Sequence, residues 1–557
     1  MDKANKFVIK IGGEAGWGIM SIADWIGKLA GGSGLWAFQY PEYPSLIRGG
    51  NNTQKITISE SEVFSTPYAV DLLICFDRNT YDLSEQELNK EAVVIGWEKD
   101  LDDIPKALLI PYKLKEKITL RNQNSFFYGV TTAILGLDKY KAKEILSEAF
   151  LEKEEVRNDN ISAFDLGYDW YFTLSKEALV DYSPKLDEKQ LLSGNEAISM
   201  GAVKAGCGFA AIYPMTPISG ILHQLIALRE KTKMIVFQPE DEISGVISAI
   251  GASFAGTRSM VATSGGGFCL MTEGVGMAGM SETPLVVIEG QRTGPSTGMP
   301  TWTEQADLNF MINSSHSEFP RIVLAPGDIQ ECFKLTYLAF WLSQKYQIPV
   351  IVMTDKFLSE SKKTVRLDSL IAPKVKWPDL ISCKSNYKRY KLTDSGISPR
   401  AFPGKSLVVA NSYEHNEYGY YDDSITGRNS QMKKRLKKIK NLEIENGVNL
   451  YGERSADLTL VGWGSTKGVI IEALKQLDNV NFIHFTQVYP LPSKGKKILE
   501  SAKNLAVVEN NSTSQLRNLI KKEYFIDIKK TYLKNDGRPF WTEEILKFCS
   551  GKTNGKL

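Results

Sequence analysis

The sequence predicts an α/β protein of three α/β domains with one irregular connector. Strand-like runs of apolar and β-branched residues alternate with helical stretches in three separate regions. Turns fixed by glycine and proline follow several of those runs, and residues 373–449 interrupt the alternation.

The first domain is expected over 1–180. It opens with a strand at 7–11, then Gly12-Gly13-Glu14-Ala15-Gly16-Trp17-Gly18, then an amphipathic run to Leu29, with further strands at 71–76 and 92–95. The polar stretch 181–190, with Pro184, Asp187, Glu188 and Lys189, reads as a linker. In the second domain, 190–372, a helix over 194–206 precedes strands at 234–237, 259–263, 284–288 and 349–353. Ile243, Val246, Ile247, Ile250 and Phe254 recur at helical spacing among Ser244, Gly245, Ser248, Ala249, Gly251 and Ala252. Glycine costs a helix about 1 kcal/mol against alanine, so this narrow face implies close packing on another helix or a partner subunit. In the connector, 373–449, the basic run 433–440 reads as a solvated helix face. The third domain, 450–557, shows strands at 458–462, 480–485 and 505–508, with a helix over 464–477.

Bulk properties narrow the function classes. A net charge of +2 over 557 residues argues against nucleic acid and anionic membranes as partners. No apolar signal core and no run of about eighteen apolar residues is present, so the expected location is the cytoplasm. The six cysteines, Cys75, Cys207, Cys269, Cys332, Cys383 and Cys549, include no C-x-x-C pair. With only four histidines (His223, His316, His415 and His484), no metal site is expected on this chain.

Four motifs carry chemistry. In Tyr213-Pro214-Met215-Thr216-Pro217-Ile218-Ser219 the prolines stiffen a turn that presents the Thr216 hydroxyl to a ligand or to a helix N-terminus. In Gln291-Arg292-Thr293-Gly294-Pro295-Ser296-Thr297-Gly298, Arg292 follows a strand at the edge where open α/β sheets bind ligands. Its planar fork suits a carboxylate, with Ser296, Thr297 and Thr301 close by; a surface ion pair is the other reading. Glu240-Asp241-Glu242 opens the small-residue helix, and each acid can cap it or, if buried, bind a protonated ring nitrogen. The N-terminal loop is spaced G-G-x-x-G-x-G rather than as a nicotinamide fingerprint, which leaves a phosphate near a helix N-terminus. Ser45-Leu46-Ile47-Arg48-Gly49-Gly50 would suit a phosphate-bearing ligand or a plain turn.

Taken together these stretches resemble the alpha subunit of 2-oxoacid:ferredoxin oxidoreductases, in the form with a gamma domain fused ahead of it. The family's Y-P-I-T-P-S-S appears as Tyr213 to Ser219, with Met215 and Ile218 as departures. E-D-E with G-A-S appears at 240–242 and 251–253, T-S-G-x-G-F at 263–268, and Q-R-x-G-P-S-T-G-x-P-T at 291–301. Gly396-Ile397-Ser398-Pro399-Arg400 and Glu414-His415-Asn416-Glu417-Tyr418-Gly419 match two more stretches, with Asn416 where aspartate is usual.

The resemblance implies a gamma-type first domain, a pyrimidine-binding-type second domain and a transketolase C-terminal-like third. It implies that Glu242 hydrogen-bonds the aminopyrimidine of thiamine diphosphate, beside Tyr213 and Pro214. Thr216 and Arg292 would hold the 2-oxoacid carboxylate, with Thr297 and Thr301 lining the pocket, while Ser45, Arg48 and Gly49 are candidates for coenzyme A. Family members bind the diphosphate and Mg2+ through a G-D-G motif, and a [4Fe–4S] cluster on cysteines, both on a beta subunit. This chain has neither pattern, so an alpha2beta2 assembly is implied, forming acyl-coenzyme A and carbon dioxide while reducing ferredoxin. Two other readings are a non-catalytic assembly subunit and a nicotinamide-dependent dehydrogenase. The 2-oxoacid itself is left open.

Overall fold

The structure, a computed structural model, describes residues 6–46, 49–105, 107–174, 177–180, 182–183, 187–382, 385–440, 442, 444 and 447–551. Two compact units emerge. One comprises Met1–Ser193, Glu360–Ser369 and Trp541–Leu546; the other comprises Gly194–Ser359, Leu370–Phe540 and the remainder from Lys547.

The first unit is built on an eight-stranded sheet in the order Leu108–Ile110, Leu88–Trp97, Val70–Cys75, Lys6–Glu14, Asn51–Ser59, Trp36–Glu42, Lys362–Val365, Gln190–Ser193. The first four strands pair in parallel and the rest antiparallel. The strands at Trp36–Glu42 and Asn51–Ser59 were missed because buried polar residues break their apolar pattern. Lys55, for example, is buried with its ammonium 2.7 Å from Glu87 and 4.5 Å from the centre of the Trp541 ring. The strand Lys362–Val365 pairs within this sheet, although the sequence reading assigned it to the second domain. In the stretch expected as a linker, residues 181 and 184–186 lie outside the described residues. Lys189, at its end, is buried and donates to the Gly34 carbonyl at 2.7 Å rather than trailing free.

The second unit carries two sheets. The seven-stranded one runs Gln487–Tyr489, Ile322–Leu324, Pro349–Asp355, Leu285–Gln291, Ser259–Thr263, Phe209–Ala211, Ile235–Phe237. All neighbours are parallel except at Gln487–Tyr489. From Phe209–Ala211 the chain moves outward to Ile235–Phe237, then returns to the other side at Ser259–Thr263. That reversal opens a crevice at the carboxyl ends of the strands, where ligands bind in such sheets. The strand expected to stop at Ile288 continues to Gln291 with Glu289 buried inside it. The five-stranded sheet runs Val448–Tyr451, Val480–Phe485, Leu458–Trp463, Leu505–Glu509, Lys530–Leu533. Among the described residues no helix is long and apolar enough to cross a membrane.

The connector is irregular up to the helix Ile425–Lys437, and its basic run is solvated on one face only, at Lys433, Lys437 and Lys440. Lys434, Arg435 and Lys438 are buried because acidic partners face them. Lys434 and Lys438 lie 2.7 and 2.6 Å from the fully buried Glu282, and Arg435 pairs with Glu414 at 2.7 Å. Burial opposes the Glu282 charge, yet Lys438, Lys434 and Arg389 together bring its pKa down to about 2. Burial pulls Lys438 down to about 7, against the attraction of Glu282. Arg400, of the 396–400 motif, donates to the Ser253 carbonyl at 2.7 Å and so caps the end of the helix Glu242–Phe254.

Removing one partner of such a buried cluster strands the others, at a cost of about 3–5 kcal/mol. We therefore expect Glu282→Gln to lower the melting temperature clearly at neutral pH. The folded pKa lies below the unfolded value near 4.5, so the unfolded state takes up the proton first. The gap between wild type and variant should shrink as pH falls from about 4.5 toward 2, as thermal unfolding at several pH values will show.

Candidate active site

Parallel strands deliver four chain segments to one edge of the seven-stranded sheet. Phe209–Ala211 leads into the turn holding Thr216, and Ile235–Phe237 into the acidic triplet. Ser259–Thr263 leads into the helix Gly265–Met280, and Leu285–Gln291 into Arg292.

The two proline-rich loops meet directly. Arg292 donates from Nη1 to the Thr216 carbonyl at 2.9 Å. From sequence only the Thr216 hydroxyl is a candidate ligand group; in the structure its backbone anchors the guanidinium, and among the described residues nothing hydrogen-bonds that hydroxyl. Pro217 and Ile218 rest on Gly290, where a Cβ would come within 2.6 Å of the Ile218 side chain. From the other side Asn195 donates to the Pro217 carbonyl at 2.8 Å. Burial lowers the Arg292 pKa, and the charge of Asp307 opposes that shift. Tyr213 stands exposed at the loop's rim, with Pro214 half-buried next to it.

The loop beyond Arg292 folds back on itself. Met299 donates to the Thr293 carbonyl at 3.0 Å and Thr293 to the Trp302 carbonyl at 3.1 Å. Thr303 donates to the Gly537 carbonyl at 3.1 Å, and the Arg538 guanidinium lies 3.2 Å from the centre of a Trp302 ring. Thr297 sits exposed, while Thr301 is buried with no partner for its hydroxyl among the described residues.

The acidic triplet separates into three environments. Glu240 is exposed, and Asp241 is the helix cap, accepting from the Ser244 N–H at 2.8 Å. Glu242 is buried, and among the described residues its Oε1 has no hydrogen-bond partner. Gly267 makes room for it, since a Cβ there would collide with Glu242 Oε1 and Thr263 Oγ1. A buried carboxylate oxygen left unpaired costs several kilocalories unless a ligand donor completes it, so the geometry fits an external N–H.

In the first unit, Ser45 is exposed and Gly49 has a φ of 74° with open space where a Cβ would stand. Arg48 lies outside the described residues. Of the cysteines, Cys269 is exposed and Cys75, Cys207 and Cys332 are buried, while Cys383 lies outside the described residues. Among the described residues no group of three His, Cys, Asp or Glu is placed to hold a metal.

Several contributors were not singled out from sequence. Asn195 gave no signal. Thr263 and Gly267 lay inside the quoted T-S-G-x-G-F stretch, whose role becomes visible only when Glu242 is seen against it. Glu289 was passed over as the polar end of an apolar run, and Asp307 lies just beyond the Arg292 motif.

Comparison with known proteins agrees with this architecture. Residues 200–434 match the family described as "Pyruvate flavodoxin/ferredoxin oxidoreductase, thiamine diP-bdg", and residues 8–170 match "Pyruvate ferredoxin/flavodoxin oxidoreductase". The 2-oxoacid:ferredoxin oxidoreductase subunit alpha of a Sulfolobus species is 32% identical, over 96% of this chain and 95% of that one. A 2-oxoglutarate synthase subunit of Methanocaldococcus jannaschii is 36% identical over 58% of this chain and 88% of its own. The solved 2-oxoglutarate:ferredoxin oxidoreductase of Magnetococcus marinus, with 2-oxoglutarate, coenzyme A and succinyl-CoA bound, superposes with a TM-score of 0.89 at 30% identity, covering 98% of this chain and 99% of that one. The chain belongs to the family of 2-oxoacid:ferredoxin oxidoreductase alpha subunits.

Proposed function

We propose that this chain forms the substrate-carboxylate and aminopyrimidine half of a coenzyme A-dependent 2-oxoacid:ferredoxin oxidoreductase. The observation that carries this is Glu242, a buried carboxylate with an unpaired oxygen at the carboxyl edge of a parallel sheet. Thiamine diphosphate, when bound, acts as the electron sink for decarboxylation. Glu242 would hydrogen-bond its aminopyrimidine ring, with Tyr213 and Pro214 at the rim. Arg292, already held by the Thr216 carbonyl, would direct its remaining N–H groups to the 2-oxoacid carboxylate. The Thr216 and Thr301 hydroxyls would complete that pocket, with exposed Thr297 at its entrance. Ser45, Arg48 and Gly49 remain our candidates for coenzyme A.

A beta subunit would bring the diphosphate site, Mg2+ and a [4Fe–4S] cluster, in an alpha2beta2 assembly that passes electrons to ferredoxin in the cytoplasm. An apolar surface around the site supports a partner there. Ile243 and Ile247, one helical turn apart, are 50% and 39% exposed, and Leu270 on the adjoining helix is 50% exposed. Phe237, on the edge strand, is 39% exposed. Leaving such side chains in water forgoes about 25 cal/mol for each Å² of apolar area that a partner would cover.

Two substitutions test the residue roles in the assembled complex. Arg292→Ala should raise the 2-oxoacid KM by roughly 10- to 100-fold, the worth of a hydrogen-bonded charge pair, with thiamine diphosphate affinity nearly unchanged. An unchanged KM would contradict the clamp. Glu242→Gln should abolish turnover while the cofactor remains bound, read by cofactor retention after gel filtration. Retained turnover would move the role to Glu240 or Asp241.

A further inference from the structure

The loop that carries Arg292 returns along residues 302–307, and its two sides are stapled together at the neck. Thr293 donates from its backbone N–H to the Trp302 carbonyl at 3.1 Å and from its hydroxyl to the Thr303 carbonyl at 3.2 Å. On the other side of Arg292, Gln291 Oε1 accepts from the Asp307 N–H at 3.1 Å, and Gln291 Nε2 donates to the Thr354 carbonyl at 3.1 Å. The position of Arg292 is therefore tied to that of the returning segment. Within that segment the residue with the most extensive anchorage is Gln305, which has had no part in the reading so far.

Gln305 is fully buried, and its backbone and side chain are both hydrogen-bonded. Its N–H donates to the Asn510 carbonyl at 2.7 Å, and its Oε1 accepts from the Asn510 N–H at 3.1 Å. Its Nε2 donates to the Trp463 carbonyl at 2.9 Å, and its own carbonyl accepts from Asn511 Nδ2 at 3.0 Å. Trp463 and Glu509 end the neighbouring parallel strands Leu458–Trp463 and Leu505–Glu509, so these partners stand together at the carboxyl edge of the five-stranded sheet. Glu509 orients Asn511, accepting from the same Nδ2 at 2.9 Å. Gly464, with a φ of 56°, leaves the room, since a Cβ there would lie 2.6 Å from Gln305 Nε2. A buried amide is costly unless its groups are paired, and here each of them is.

We propose that Gln305 is a positioning residue for substrate binding: through these four bonds the carboxyl edge of the five-stranded sheet holds the neck of the loop, and so sets where Arg292 meets the 2-oxoacid carboxylate. This inference rests on the reading of Arg292 as the carboxylate clamp. Gln305 is buried and acts through Arg292. Glu242 follows a different strand, so the proposed aminopyrimidine contact does not depend on Gln305.

The test measures KM for the 2-oxoacid, kcat and thiamine diphosphate affinity in the assembled complex at saturating coenzyme A. Gln305→Met keeps the bulk but loses both side-chain bonds, and should raise KM by roughly tenfold, with kcat within about threefold and cofactor affinity unchanged. A neutral carboxylic acid can repeat both bonds, so Gln305→Glu should approach the wild-type KM as pH falls, each value being taken against wild type at the same pH. In an Arg292→Ala background, Gln305→Met should add less than about twofold to KM, because its effect passes through Arg292. A wild-type KM in Gln305→Met, with only the melting temperature lowered, would overturn the proposal. So would equal defects in the Met and Glu variants at every pH, or additive defects in the double variant. Asn511→Ala removes the donor to the Gln305 carbonyl and should raise KM by roughly threefold or more, which decides the matter if Gln305→Met fails to fold. Should Arg292→Ala raise KM while the Gln305 and Asn511 variants do not, the positioning link alone is overturned. A wild-type KM in Arg292→Ala would overturn the clamp itself.

Discussion

Parallel pairing of Phe209–Ala211 with Ser259–Thr263, and of that strand with Leu285–Gln291, makes the chain leave the sheet repeatedly at one edge. In a parallel ladder the carboxyl ends of neighbouring strands lie side by side, so the loops that follow converge. Thr216, Glu242, the start of the helix Gly265–Met280 and Arg292 share an edge for that reason, although 76 residues separate the first from the last. A shift of register along Leu285–Gln291 would move Arg292 away from the Thr216 carbonyl and carry Glu289 to the opposite face of the sheet, which is also buried.

Glycine and buried charge then set the fine geometry. Gly290 and Gly267 leave the space in which the Pro217 turn and the Glu242 carboxylate lie. The connector is tied down through ion pairs, with Glu282 reaching Lys434 and Lys438 and Glu414 reaching Arg428 and Arg435. Those contacts, with the Arg400 cap on the helix that begins at Glu242, fix the far end of an element whose near end carries the buried Glu242 carboxylate. The Arg292 loop is likewise braced by Gly537 and Arg538 from the C-terminal sheet region of the same unit. Rigid support of this kind separates an oriented site from a merely present one.

Much of this was legible in the sequence, and the parts that were not share a physical cause. Strands such as Ser259–Thr263 and Pro349–Asp355 are readable because each carries a continuous buried apolar run. Asn51–Ser59 and the end of Leu285–Gln291 were not, since Lys55 and Glu289 look like surface residues until their partners are known. The basic run near residue 435 misled for the same reason: charge in a sequence does not reveal whether an opposite charge waits across space. At the site, Thr216 and Arg292 were legible as a pair, but the carbonyl that joins them is a backbone group common to every residue. The triplet 240–242 could be sorted into exposed acid, cap and buried acid only with coordinates.

In the proposed function this chain holds half of a catalytic site. The most direct measurement is 2-oxoacid- and coenzyme A-dependent reduction of ferredoxin by the purified chain, alone and after assembly with the beta subunit proposed above. The expected result is no turnover by the chain alone and turnover once the partner is added. Sustained turnover by the isolated chain would contradict it.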